Sequence, residues 1–192
     1  MIRDIVNEQR KFYQTGKTLD YKFRMKALSR LKKAILRNEE ALYEALASDL
    51  NKSKTEAYLC EIGIVLDEIR HHQKHLHRWM KKQVILPSLG QLPGICYRVP
   101  EPYGVTLIMA PWNYPVNLCF TPLIGAISAG NTAVLKPSAY APETSKVIEK
   151  IISEAFPPRY IAVITGGRKE NALLLEEKFD YIFFTGSPNV GK

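Results

Sequence analysis

Between Pro102 and Leu135 the chain carries no charged residue and no histidine, a gap of 34 residues in a sequence with 27 Lys and Arg and 19 Asp and Glu. In so charged a chain, such a gap reads as buried protein. It is too broken to cross a membrane. Pro111, Asn113, Pro115, Asn117 and Pro122 interrupt it, whereas a spanning helix needs about 20 mostly apolar residues. Cysteine is scarce too. The three thiols, Cys60, Cys96 and Cys119, and the absence of a signal peptide predict a reducing, cytoplasmic setting. There are no repeats and no low-complexity tracts, and Pro87–Gly94 is the only linker-like segment.

Inside the uncharged stretch, Gly104–Pro111 (GVTLIMAP) is short, apolar and β-branched, which predicts a fully buried strand over Gly104–Ala110. Proline pushes the residue before it into extended conformations, so Pro111 and Pro115 bracket a turn at Trp112–Tyr114. From Val116 to Ala129 the residues are apolar on every side, as in a helix enclosed by its neighbours. Gly130–Asn131 ends it. Thr132–Leu135 is a second buried strand and delivers Lys136 to the carboxyl edge of the sheet, where open α/β sheets bind ligands. Asn113, inside this buried stretch, needs a partner, because a buried polar group is costly without one.

The alternation continues downstream. Glu143–Phe156 is an amphipathic helix, Tyr160–Thr165 a strand ending at Gly166–Gly167, Lys169–Phe179 a helix and Tyr181–Phe184 a strand. Strands alternating with helices predict right-handed βαβ units and a parallel sheet. The last strand runs into Gly186–Ser187–Pro188–Asn189–Val190–Gly191–Lys192. Glycines between a strand and a helix suit a phosphate, because backbone N–H groups and the helix dipole face it there.

Residues 1–82 differ in character: helical, basic, with Leu28, Leu31, Ile35, Leu42 and Leu46 at helical spacing. Net charge is +8, but the lysines are dispersed and no nucleic-acid motif accompanies them, so no nucleic acid and no membrane are expected as partners. All four histidines fall in His71–His77. His71 and His75 share a helix face; Asp67 or Glu68 is the only nearby candidate for the third ligand a metal needs, and no metal is expected. Asn51–Lys52–Ser53 fits a glycosylation pattern and, with no secretory signal, should stay bare.

Five segments, in order, resemble the aldehyde dehydrogenase family: Glu56–Ile62 (EAYLCEI), Glu101–Gly104 (EPYG), Ala110–Pro115 (APWNYP), Gly130–Ser138 (GNTAVLKPS) and Phe184–Gly191 (FTGSPNVG). They look most like the class 3 branch, which uses fatty or aromatic aldehydes. The resemblance covers the whole chain but only the first part of a family more than twice as long. It implies an α/β fold with an N-terminal helical layer (1–82), a linker and strand segment (83–103) and part of a Rossmann-like dinucleotide-binding domain with an incomplete parallel sheet (104–192). It also implies oxidation of a small-molecule aldehyde to a carboxylic acid with NAD or NADP, by a protein that is a homo-oligomer at full length.

In the family, the asparagine matching Asn113 donates its side-chain amide to the oxyanion of the thiohemiacetal; Asn113 could instead simply cap the helix that follows. Lys136 matches the lysine that binds the adenosine ribose, or is a surface lysine at a strand end. Ser187 matches a serine near the pyrophosphate. The resemblance sets Ser138, Gly166, Gly186 and Val190 beside the cofactor, although glycines there also serve as turn residues. Where the family usually has glutamate after Lys-Pro-Ser, this chain has Ala139. That loses an acceptor for the ribose 2′-hydroxyl and also a charge that would repel a 2′-phosphate. Neither the family's nucleophilic cysteine nor its general-base glutamate has a match. Cys119 reads as core, Cys60 and Cys96 as structural, so the chain alone is expected to be inactive. A rival reading takes Gly186–Lys192 (GSPNVGK) as a phosphate loop of a nucleotide-binding protein, without the metal-binding strand that should follow.

Overall fold

The computed structural model describes residues 2–191, with the side chains of Asn189 and Val190 left out of that description. Nine helices are formed over these residues: α1 (Ile2–Gln14), α2 (Tyr21–Arg37), α3 (Glu39–Leu50), α4 (Lys54–Ala57), α5 (Gly63–Trp79), α6 (Asn117–Ala129), α7 (Pro142–Ala155), α8 (Arg168–Leu175) and α9 (Pro188–Gly191). The strands are β1 (Gln83–Ile85), β2 (Cys96–Arg98), β3 (Val105–Met109), β4 (Thr132–Lys136), β5 (Ile161–Val163) and β6 (Tyr181–Phe184). A one-turn π-helix, Tyr58–Ile62, joins α4 to α5.

β3, β4, β5 and β6 make one parallel sheet in the order β5-β4-β3-β6. Their sequences dictate it. Val105–Met109 and Thr132–Lys136 have almost no exposed residue, as a parallel strand covered on both faces requires. Met109 stands opposite Lys136 on one side and Phe184 on the other. On one face of the sheet, α2, α3, α5, α6 and α7 share a single core in which Leu28, Leu31, Ile35, Leu42 and Leu46 meet Ile108, Leu135 and Ile161. The apolar spacing of residues 28–46 is divided between α2 and α3, which meet at Asn38. The other face is covered by α1 and α8, through Val6 and Leu174 against Val105, Leu107 and Val134.

Several boundaries move inward from the sequence reading. The strand expected over Tyr160–Thr165 is only Ile161–Val163, and the helix expected to reach Phe179 ends at Leu175. The segment 83–103 does contain a strand, β2, but it pairs antiparallel with β1, a partner the sequence did not announce. Pro87–Gly94 is therefore the connection of a hairpin. The uncharged stretch is not buried throughout: Tyr103, Trp112, Asn113 and Tyr114 are exposed. Among the described residues, no helix is long and apolar enough to cross a membrane.

Candidate active site

The chain runs β3, β4, β5 outward in one direction, then returns to place β6 on the far side of β3. Parallel sheets bind ligands outside the carboxyl ends of their strands where the order reverses, here between β3 and β6. Each of the four strand ends delivers a sequence-predicted residue: Asn113 after β3, Lys136 and Ser138 at the end of β4, Gly166 after β5, and Gly186, Ser187 and Val190 after β6.

Lys136 is not a surface lysine. It is 4% exposed, and its ammonium donates to the carbonyls of Pro137 (2.8 Å) and Gly166 (2.7 Å). Burial holds its pKa below the ordinary lysine value. An ammonium has three N–H donors, and these two carbonyls occupy two of them. Gly166 adopts φ 125°, a region favouring glycine, and an added Cβ would run into the Glu170 side chain. Glu170 accepts from the Gly167 amide at 2.7 Å, and that bond is the main cause of its lowered pKa. Lys136 and Gly166 are thus brought into direct contact.

Ser138 is half-buried; its Oγ accepts from the Tyr140 amide (3.2 Å) and its carbonyl from the Ser145 hydroxyl (2.9 Å). Ala139 is exposed beside it. A Cβ at Gly186 would collide with the Phe184 ring, so this glycine permits a close approach of the chain to that ring. Ser187 is exposed, and its carbonyl accepts from the Gly191 amide at 3.1 Å. Val190 lies in α9; its side chain is outside the described residues, as is Lys192, on which the phosphate-loop reading depends.

Asn113 is exposed rather than buried, and it does not cap α6. That cap comes from a residue the sequence reading left without a role. Glu61, wholly buried in the π-helix, accepts from the amides of Val116 (2.8 Å) and Asn117 (3.1 Å). Its other oxygen accepts from Lys52 Nζ at 2.6 Å, and Lys52 also donates to the Asn113 carbonyl at 2.8 Å. The available signal was an acid set between Cys60 and Ile62 in the Glu56–Ile62 segment. The π-turn that orients it needs Gly63, where a Cβ would meet the Tyr58 carbonyl at 2.8 Å.

No cysteine offers a nucleophile here. Cys119 is fully buried in α6 and burial pushes its thiol pKa up to about 12, so it stays protonated. Cys60 and Cys96 are half-buried. The His71 and His75 rings lie 4.4 Å apart and tilted at 42°, and His75 stacks on Trp79 (5.7 Å). His72 lies 2.7 Å from Ser128 Oγ and 3.0 Å from Glu68, and burial lowers its pKa. Among the described residues no group of three or more His, Cys, Asp or Glu is arranged to hold a metal.

An open parallel sheet with helices on both faces and polar groups gathered at its carboxyl edge is the Rossmann-like α/β architecture. The whole chain, residues 1–192, matches the aldehyde dehydrogenase family, and it belongs to that family. It is 48% identical to the 4,4'-diaponeurosporen-aldehyde dehydrogenase of Staphylococcus aureus, over 96% of this chain and 40% of that protein. It is 41% identical to bovine aldehyde dehydrogenase family 3 member B1, over 98% of this chain and 40% of that protein. A substrate-bound structure of Staphylococcus aureus AldH superposes with a TM-score of 0.97 and 46% identity, covering all of this chain and 42% of that one. The chain thus spans about 40% of the length of the curated relatives it matches.

Proposed function

We propose that residues 1–192 supply the cofactor edge and the oxyanion donor of an NAD- or NADP-dependent aldehyde dehydrogenase, which oxidises a fatty or aromatic aldehyde to the carboxylic acid. The observation that carries this reading is the convergence of Asn113, Lys136, Gly166 and Ser187 on four adjacent strand ends of one sheet, around the point where strand order reverses.

Lys136 fits a sugar-binding role. It is a buried cation held by two carbonyls, with one N–H donor beyond those bonds. Ser138 and the exposed Ala139 lie next to it, Gly166 reaches it from the neighbouring β5, and Ser187 follows β6 on the far side of β3. These residues would hold the dinucleotide, which supplies the hydride acceptor when bound. The exposed Asn113 amide is free to donate to the oxygen of an aldehyde as that oxygen gains negative charge. A donor already in place stabilises the charge without reorganisation, by roughly 3–4 kcal/mol. The thiol and base the reaction needs have no counterpart in residues 1–192, so this polypeptide alone does not turn aldehydes over.

The test is a chimera of residues 1–192 with the remaining part of the Staphylococcus aureus relative, assayed with hexanal or benzaldehyde and NAD or NADP. Asn113→Ala should lower kcat by about 10²–10³-fold. An active chimera indifferent to that change would remove Asn113 from the chemistry. Turnover by residues 1–192 alone that disappears with Cys119→Ala would make Cys119 the nucleophile and overturn the proposed division of the site.

A further inference from the structure

Glu61 and Lys52 are a buried ion pair, and such a pair needs a reason. Taking two charges out of water costs several kcal/mol each, and well-packed apolar residues are often as stabilising. This pair spends its hydrogen-bonding capacity on one place. Glu61 Oε2 accepts from the amides of Val116 (2.8 Å) and Asn117 (3.1 Å), the first donors of α6. A carboxylate is also favoured there by the helix dipole. Glu61 Oε1 takes Lys52 Nζ at 2.6 Å. Lys52 then reaches past Glu61 to the carbonyl of Asn113 (2.8 Å) and stands 4.2 Å over the Tyr114 ring. Two residues from the helical layer thus hold the middle and the exit of the bend that carries the exposed Asn113 side chain. They hold its backbone by the Asn113 carbonyl and its exit by the first turn of α6.

We propose that Lys52 and Glu61 are positioning residues which fix the peptide plane after Asn113 and so aim its amide at the aldehyde oxygen; this rests on the reading of Asn113 as the oxyanion donor. The bend between Pro111 and Pro115 is exposed at Trp112, Asn113 and Tyr114; besides the pair, the Tyr114 carbonyl accepts from the Leu118 amide at 2.9 Å. Misplacing a catalytic group by about 1 Å can cost about 10²-fold in rate, so loss of the pair should reach the chemistry and not only the stability.

Two readouts decide it. The first needs no activity: in the chimera, the Asn113 side-chain NH₂ signals, assigned by comparison with Asn113→Ala, should be one sharp pair. In Lys52→Met they should broaden or multiply; an unchanged pair overturns the proposal. The second is a double-mutant cycle in the chimera. Lys52→Met should lower kcat at least tenfold with the cofactor KM unchanged, and Lys52→Met combined with Asn113→Ala should be no slower than Asn113→Ala alone. Multiplying effects would show a merely structural pair and overturn the proposal. Should Lys52→Met fail to fold, Glu61→Gln, which keeps the size and one acceptor oxygen but replaces the other oxygen by an NH₂ donor and loses the charge facing Lys52, carries the same expectation. An unaltered kcat in Glu61→Gln overturns it. If Asn113→Ala alone leaves an active chimera unchanged, the oxyanion reading fails; if Asn113→Ala is slow and Lys52→Met is normal, only the positioning role fails.

Discussion

At the scale of single residues, Ala139 and Cys119 make the sharpest predictions. Ala139 is exposed beside Lys136 and Ser138, so nothing in the fold obstructs a longer side chain. A glutamate there would accept from a ribose 2′-hydroxyl and repel a 2′-phosphate. Ala139→Glu in the chimera should tighten NAD by about 1.5–3 kcal/mol and weaken NADP; an unchanged ratio of the two dissociation constants would show that residue 139 faces away from the ribose. Cys119 is enclosed and its pKa stands near 12 against an ordinary value of 9.0. Its thiol should ignore a disulfide reagent at pH 8 until denaturant is added, while the half-buried Cys60 and Cys96 react first. The raised folded pKa means that the unfolded chain releases this proton first. Stability is therefore intact below about pH 9 and falls as pH rises toward 12, by up to about 1.4 kcal/mol per pH unit.

Among the elements, the β1–β2 hairpin and the central strands are opposites. β1 has no buried residue, and Leu86 beside it is 95% exposed. An isolated two-stranded hairpin is marginal in water. Amides of residues 83–98 should exchange within minutes, whereas those of β3 and β4 should be the slowest in the molecule; equal protection would show that the hairpin is covered in solution. The same contrast separates what the sequence made legible from what it did not. β3 and β4 could be read because burial on both faces demands continuous apolar runs. β1 could not, because Gln83–Ile85 owes its conformation to pairing with Cys96–Arg98, and three residues carry too little pattern. Asn113 stands out in the sequence as a polar residue in an apolar stretch and is expected to be buried; the bend between Pro111 and Pro115 leaves it exposed instead.

For the whole molecule, the exposed side of the sheet matters most. β6 is an edge strand with Tyr181, Ile182 and Phe183 exposed, Ile182 at 45%. Burial is worth roughly 25 cal/mol per Å², so a few hundred Å² left bare forfeits several kcal/mol of the 5–15 kcal/mol typical of a native protein. An aromatic edge also invites pairing with other chains. Residues 1–192 in isolation should self-associate and melt early. Light scattering and thermal denaturation test this, and a monomer melting sharply above about 65 °C, the upper end for ordinary domains, would show a self-sufficient unit.

By itself the sequence determined the parallel sheet and the strand ends at which Asn113, Lys136, Gly166 and Ser187 appear, because local apolar patterning, proline and glycine decide where strands begin and stop. Tertiary structure alone decided which side chains touch. It buried Lys136 on the Gly166 carbonyl 30 residues away, and it brought Lys52 and Glu61 from the helical layer to the bend at Asn113, 61 residues beyond Lys52. Desolvated charges choose their partners by proximity in space, and a one-dimensional pattern does not carry that distance.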